Sequence, residues 1–324
     1  MGKGVRYISD DFLGVLSLDN DFKKLITHIK KDIDLCLELR DEKPALYYRG
    51  RKMFDIKRER DSVLFYFNKD SFPSTADDGI SVIVDASAVF KGIDKYKKLI
   101  DNRLNEIGIQ YPEEKMQYRL AHCNGLLFNS DEDSYCIADI EYYQENKNNW
   151  HFDLVALNTE NKTKEPFFSF VEVKYGEKKV RTKEKNEKGK GGNPGIRKHL
   201  ADFRNVSNSE RSMSTMKTDL EKVLAQKASL GLLDDEHTWN IDINKCEYIF
   251  VLFDYDFEKK DLRKELDEII SNYRDLYEEC KENTFFAFVE SNDDVARYKL
   301  SKSNFLTFKD VILKYSSTKT INAL

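Results

Sequence analysis

Proline and glycine are scarce in this chain, with 5 and 14 positions respectively in 324 residues, which excludes collagen-like and low-complexity architectures. Cysteine is equally sparse. Cys36, Cys123, Cys136, Cys246 and Cys280 are odd in number, far apart and without a C-x-x-C pair, so neither a disulfide framework nor a structural zinc site is encoded, and they read as buried thiols. No apolar run approaches the roughly 18 residues of a membrane span. Met1 to Asp11 also lacks the apolar stretch of a signal peptide, so a cytoplasmic protein with no membrane partner is expected. No internal repeat is visible. What is present is a folded composition, 40% hydrophobic, 12% aromatic and 34% charged, with a net charge of -5 that excludes a protein basic all over. At this length two domains, or one domain with a large extension, are expected.

Hydrophobic periodicity divides the chain near residue 110. Behind an Asp19/Asn20 cap, Phe22, Leu25, Ile26, Ile29, Ile33 and Cys36 recur at helical spacing, predicting an amphipathic helix to about Leu39. Three short β-prone runs follow, Ala45–Tyr48, Met53–Lys57 and Val63–Asn68, predicting a meander. Its expected exposed cations are Arg49, Arg51, Lys52, Lys57, Arg58 and Arg60, a candidate substrate-recognition surface. A second helix is predicted from Ser87 to Glu106, ended by Gly108. Residues 1–110 thus read as an α+β domain.

Residues 111–324 read as a second domain. Pro112-Glu113-Glu114 announces a helix. Strands are predicted at Tyr135–Gln144, Trp150–Asn158 and Phe167–Tyr175, helices at Ile196–Val206 and Ser214–Leu233, and a doubly covered strand at Glu247–Phe253. A helix (about Glu258–Cys280), a strand (Phe285–Glu290) and a short helix (Phe308–Tyr315) close the domain.

Charges inside two of these apolar strands carry the functional reading. Phe152-Asp153-Leu154-Val155 and Phe170-Val171-Glu172-Val173-Lys174 bury groups that are costly without partners. Alternation puts Glu172 and Lys174 on one face, and an adjacent antiparallel strand can bring Asp153 to it. Two carboxylates and an ammonium so arranged suit Mg²⁺-assisted phosphodiester hydrolysis. Asp139 and Glu141 alternate onto one face of the preceding strand, and Glu141 can lie opposite Asp153, as a further ligand or as a group behind the ligands. His151 shares the face of Asp153 but reads as a surface residue, as does His199 on the following helix.

Asp153 and Glu172-Val173-Lys174, set in an α-β-β-β-α-β order, resemble the motif of the PD-(D/E)XK, restriction-endonuclease-like nuclease superfamily over about Pro112 to Tyr255. The proline that often precedes the aspartate is replaced here by Phe152. The resemblance implies a mixed α/β (α+β) restriction-endonuclease-like core following the N-terminal α+β domain. It also implies Mg²⁺ or Mn²⁺ on Asp153 and Glu172, Lys174 acting on the attacking water, and a glutamate of the first core helix beside the metal. Glu113 or Glu114 can supply that glutamate, and Glu113 is favoured because it shares a face with Met116 and Leu120. The implied activity is DNA hydrolysis, plausible in prokaryotic defence, restriction or repair. An RNA-directed nuclease and an inactive nucleic-acid-binding module of the same fold are the alternatives, and a homodimer or a partner subunit is compatible with each.

From Lys174 to Lys198 there are ten Lys/Arg against three Glu. Lys178, Lys179, Arg181, Lys183, Lys185, Lys188, Lys190, Arg197 and Lys198, with Gly189–Gly195 among them, form a candidate phosphate-contacting loop beside the site. Arg204 extends the same track. No G-K-[ST] follows the glycines, so this is not a Walker loop.

Overall fold

Apolar spacing in the first forty residues changes period, and the backbone follows it. Helix α1 (Asp10–Leu18) is capped by Ser9, and α2 (Asn20–Ile29) by Asp19, whose carboxylate accepts from the amides of Asp21 and Phe22 at 2.9 and 3.0 Å. The helix expected to reach Leu39 stops at Ile29. Asp32 accepts from the Asp34 amide at 3.1 Å and Leu35 returns to the Asp32 carbonyl at 2.9 Å, a turn that opens strand β1 (Leu35–Glu38). The helix gives way to a strand because Leu35, Leu37 and Leu39 alternate with Cys36 and Glu38 at period two, and all three leucines are buried.

The computed structural model describes residues 6–40, 43–68, 83–107, 112–125, 135–144, 150–159, 165–176, 179–183, 192, 194–233, 239–256, 260–291 and 298–321. The Gly108 helix stop lies outside them. Two compact units interleave along the sequence: the first comprises Met1–Asp131, Cys136–Ile140 and Thr218–Asn240, and the second Glu132–Tyr135, Glu141–Lys217 and Ile241–Leu324. The chain therefore passes between units more than once, where the sequence suggests a single boundary near residue 110.

In the first unit β1 continues into β2 (Ala45–Tyr48), β3 (Arg51–Glu59), β4 (Ser62–Phe67) and β5 (Ile83–Val84), an antiparallel sheet in sequential order. Helix α3 (Ala86–Ile107) and the first two helices bury Phe12, Leu25, Ile29, Val89 and Ile93 against Phe54, Ile56 and Phe65. Helix α4 (Pro112–Gly125) follows. Arg49 turns the β2–β3 hairpin at a left-handed φ of 51° and donates to Asp34 and Asp101, both at 2.8 Å.

A mixed six-stranded sheet, grouped in the second unit except for Cys136–Ile140 of β6, has the order β11-β10-β9-β8-β7-β6. Its strands are β6 (Tyr135–Gln144), β7 (Trp150–Asn158), β8 (Phe167–Tyr175), β9 (Asp242–Phe253), β10 (Thr284–Val289) and β11 (Leu306–Thr307). β8, β9 and β10 are parallel, whereas β7 and β11 run antiparallel to their neighbours β8 and β10. The helices are α5 (Ile196–Ser207), α6 (Glu210–Ser229), α7 (Asp261–Asn272), α8 (Arg274–Cys280), α9 (Phe308–Tyr315) and α10 (Thr318–Ile321), with Thr218 onward of α6 grouped in the first unit. Tyr273 separates α7 from α8 where one helix is expected. Aromatic rings make the core here. Phe203 of α5 lies 5.5 Å from Phe152, 5.8 Å from Phe170, 5.4 Å from Tyr248 and 5.9 Å from Phe250, so that one helix side chain pins three strands. The chain is thus a mixed α/β protein. All 5 cysteines are free, and among the described residues no helix is long and apolar enough to cross a membrane.

Candidate active site

Along β8 the side chains of Phe168, Phe170, Glu172 and Lys174 share one face, the first two inside the aromatic core and the last two at the carboxyl end of the strand. Neither charge escapes to water: Glu172 is 1% exposed and Lys174 5%. The Lys174 ammonium donates to Glu172 Oε1. On β7 the register pairs Leu154 with Val171, and continuing it sets Asp153 level with Glu172. There the Asp153 carboxylate accepts the Val173 amide at 2.8 Å through Oδ2, so a side chain replaces the ladder bond. Asp153, 8% exposed, Glu172 and Lys174 are therefore assembled where their alternation predicts.

His199 is the residue that the sequence reading leaves on the surface and the structure does not. Its Nε2 lies 2.8 Å from Glu172 Oε1 and 3.3 Å from Lys174 Nζ, with its side chain 12% exposed. The signal was on α5: His199 stands four residues before Phe203 and three after Ile196, both fully buried, and so lies on the apolar stripe. Burial alone pushes the Glu172 carboxyl upward. The charges of His199 and then Lys174, together with their hydrogen bonds, outweigh it and hold the group down at about 2. Among the described residues, Glu172 Oε2 and His199 Nδ1 are buried and have no hydrogen-bond partner.

The start of α5, which carries His199, is anchored by Glu265 of α7. That carboxylate is 0% exposed and accepts from the Thr182 amide (2.8 Å), the Thr182 hydroxyl (2.5 Å) and the Arg197 amide (2.8 Å), placing a negative charge on the amide end of the helix. Gly195 packs there so closely that a Cβ would stand 2.2 Å from the Thr182 nitrogen and 2.6 Å from the Val180 carbonyl oxygen. Both ends of the basic segment are thereby stapled at its base.

The remaining candidates are distributed differently. Glu113 and Glu114 sit in the first turn of α4 in the first unit, where Glu114 pairs with Arg51 at 3.2 Å and Glu113 is half-buried. The geometry described for the site is that of the second unit alone. Glu141 is half-buried at a left-handed φ of 50°, which interrupts the alternation expected to put it on a face with Asp139. Asp139 itself is buried and paired with Arg6 (2.8 Å) and Arg40 (3.6 Å). His151 is exposed, as expected.

Lys178, Lys185, Lys188 and Lys190 lie outside the described residues. Lys179 and Lys183 are exposed and Arg181 half-buried. Arg197 is not a free cation: its guanidinium stacks 4.3 Å over the Tyr273 ring and approaches Glu268 at 3.8 Å. Lys198 pairs with Asp202, and Arg204 with Glu279 at 3.2 Å. The meander cations differ from expectation in the same way. Arg49, Arg51 and Lys52 are half-buried and ion-paired, leaving Lys57, Arg58 and Arg60 exposed.

A divalent cation would find few donors at this end of the sheet. Among the described residues no group of three or more His, Cys, Asp and Glu side chains is spaced to hold a metal ion. Mg²⁺ asks for less, because it keeps several waters and takes one or two carboxylates. Asp153 and Glu172 with its unpartnered Oε2 meet that smaller demand. Comparison with known proteins adds no relative: no family model matches the chain, and neither a curated protein nor a solved structure does.

Proposed function

We propose that this chain is a Mg²⁺- or Mn²⁺-dependent nuclease of the PD-(D/E)XK type that hydrolyses DNA phosphodiester bonds. The observation that carries the reading is the burial of Glu172 and Lys174 together at the carboxyl end of β8, beside Asp153, with one Glu172 oxygen unpartnered. A buried ion pair gains little over apolar residues of the same volume, and an orphaned buried acceptor adds about 1–3 kcal/mol of cost; Glu38 and Asp139 also keep such an oxygen among the described residues, and Glu172 differs from them in standing with Lys174 and Asp153 at the carboxyl end of a strand.

In this reading Asp153 and Glu172 Oε2 would hold the cation, and a bound cation would supply a lowered water pKa and neutralisation of phosphate charge. Lys174 supplies the chain's own electrophile. Its ammonium stabilises the negative charge that builds on the phosphate oxygens as water attacks phosphorus and the bridging P–O bond breaks, the water giving its hydroxyl to phosphorus and, in net, its proton to the leaving oxygen. The Asp153 bond to the Val173 amide fixes the carboxylate without consuming a side-chain donor. The basic segment after β8, through exposed residues such as Lys179 and Lys183, adds sequence-independent phosphate affinity.

The test is cleavage of plasmid, linear duplex and single-stranded DNA and of RNA, with Mg²⁺, Mn²⁺ or EDTA, by the full chain and by Asp153→Asn, Glu172→Gln and Lys174→Met. Cleavage of DNA that needs the metal and is lost in all three variants supports the proposal. Cleavage that survives EDTA or all three substitutions refutes it, and cleavage confined to RNA transfers the site to the other nucleic acid.

A further inference from the structure

We infer that His199 is a positioning residue that keeps Glu172 Oε1 compensated when Lys174 turns toward substrate, so that Oε2 stays aimed at the cation. The inference rests on the nuclease reading and adds a residue to that site.

Glu172 Oε1 accepts from Lys174 Nζ and stands 2.8 Å from His199 Nε2. A carboxylate only accepts, so the 2.8 Å contact requires a proton on Nε2. The 3.3 Å between Nε2 and Nζ is then the spacing of two donors converging on one oxygen. The two reach Oε1 from different elements, Lys174 from β8 and His199 from α5.

Lys174 belongs to the same strand as Glu172, two residues on, and an ammonium shared with a phosphate compensates Glu172 only in part. A carboxylate that is 1% exposed cannot be left alone meanwhile, since an uncompensated buried charge is strongly unfavourable. His199 comes from α5, whose place does not depend on Lys174. Phe203, one turn further along, docks that helix on the rings of Phe152 and Phe170, the imidazole lies 6.3 Å from the Phe203 ring, and Glu265 anchors the helix start at the Arg197 amide. The imidazole thus holds Oε1 independently, and with Oε1 saturated only Oε2 remains for a cation. Side chains that orient a metal ligand in this way typically contribute 10–100-fold in metal affinity.

Mn²⁺ binding to the full chain by isothermal titration calorimetry, beside single-turnover cleavage and thermal melting, tests this. His199→Phe keeps a ring against Phe203 and removes the donor, His199→Gln keeps an N–H near Oε1, and His199→Ala removes both. Expected are about 10–100-fold weaker Mn²⁺ binding and a lower saturated cleavage rate for the Phe and Ala variants, with Gln restoring both to within severalfold of wild type. Wild-type Mn²⁺ affinity in folded His199→Phe overturns the inference, as does equal failure of folded Gln and Ala variants. If the Phe variant does not fold, the comparison of Gln with Ala decides. Wild type that binds no Mn²⁺, or binds it unchanged after Glu172→Gln, fails at the metal reading instead, so the two failures are told apart.

Discussion

Replacing Lys174 by Met removes one of two donors from a carboxylate that is 1% exposed. The Glu172 pKa is held from an ordinary 4.5 down to about 2 against the opposing pull of burial. At about 1.4 kcal/mol per unit, the net of burial and its partners favours the ionised group in the folded chain by about 3 kcal/mol. His199 retains its share, so Lys174→Met is expected to cost about 2 kcal/mol. Glu172→Gln strands a buried ammonium and is expected to cost about 3–5 kcal/mol. The double variant loses both charges at once and should recover about 1.5–3 kcal/mol of the summed losses.

The pH dependence has a definite sign. A depressed carboxylate pKa contributes stability above the unfolded value of 4.5 and loses it as pH falls toward about 2. The cost of Lys174→Met should therefore be full at pH 7 and shrink through that window. Urea unfolding in a Trp239→Phe background leaves Trp150, in the second unit, as the one tryptophan reporting. Additive single and double variants to within about 0.5 kcal/mol, or a Lys174→Met cost that does not change between pH 6 and pH 3, would refute the reasoning.

Three further outcomes follow from the packing. Gly195→Ala sets a Cβ 2.2 Å from the Thr182 nitrogen and should cost at least about 2 kcal/mol by forcing Thr182 and α5 apart, read as a lower melting temperature; an unchanged melt removes the stapled base. Arg49→Ala loses its bonds to Asp34 and Asp101 and should cost about 2 kcal/mol in stability while leaving the salt dependence of nucleic-acid binding untouched, and a changed salt slope with an unchanged melt would make Arg49 a phosphate ligand after all. Gln at Lys183, Lys185, Lys188 and Lys190 should weaken duplex DNA binding and flatten its salt dependence by up to about 0.9 logarithmic units for each phosphate no longer neutralised; identical slopes in a filter-binding series would return the segment to a solvated loop.

Local order was legible wherever one periodicity ran unbroken. Trp150–Asn158 and Phe167–Tyr175 are read as strands and are strands to the residue, because their apolar content exceeds what a half-exposed face needs and polar turns bound them. Asp153, Glu172 and Lys174 could be named from that pattern alone: period-two geometry fixes which side chains share a face, and charge in a buried strand demands partners. The switch of period at Leu35 was equally present in the residues, although helical spacing through Ile33 masked it.

Only the tertiary structure decided which long-range partners those charges take. His199 meets Glu172 across 27 positions and Glu265 meets Thr182 across 83, separations at which neither helical nor strand periodicity carries information. Each sits on the apolar stripe of its own helix, so burial was readable while the partner was not. The cations of the β2–β3 hairpin show the reverse case. A run of Arg and Lys reads as a solvated basic surface, but Asp34, Asp101 and Glu114, brought in from β1's edge, α3 and α4, neutralise Arg49 and Arg51. Composition specifies how much charge the chain carries; whether a given charge faces water, a carboxylate or a substrate depends on which elements the fold lays beside it.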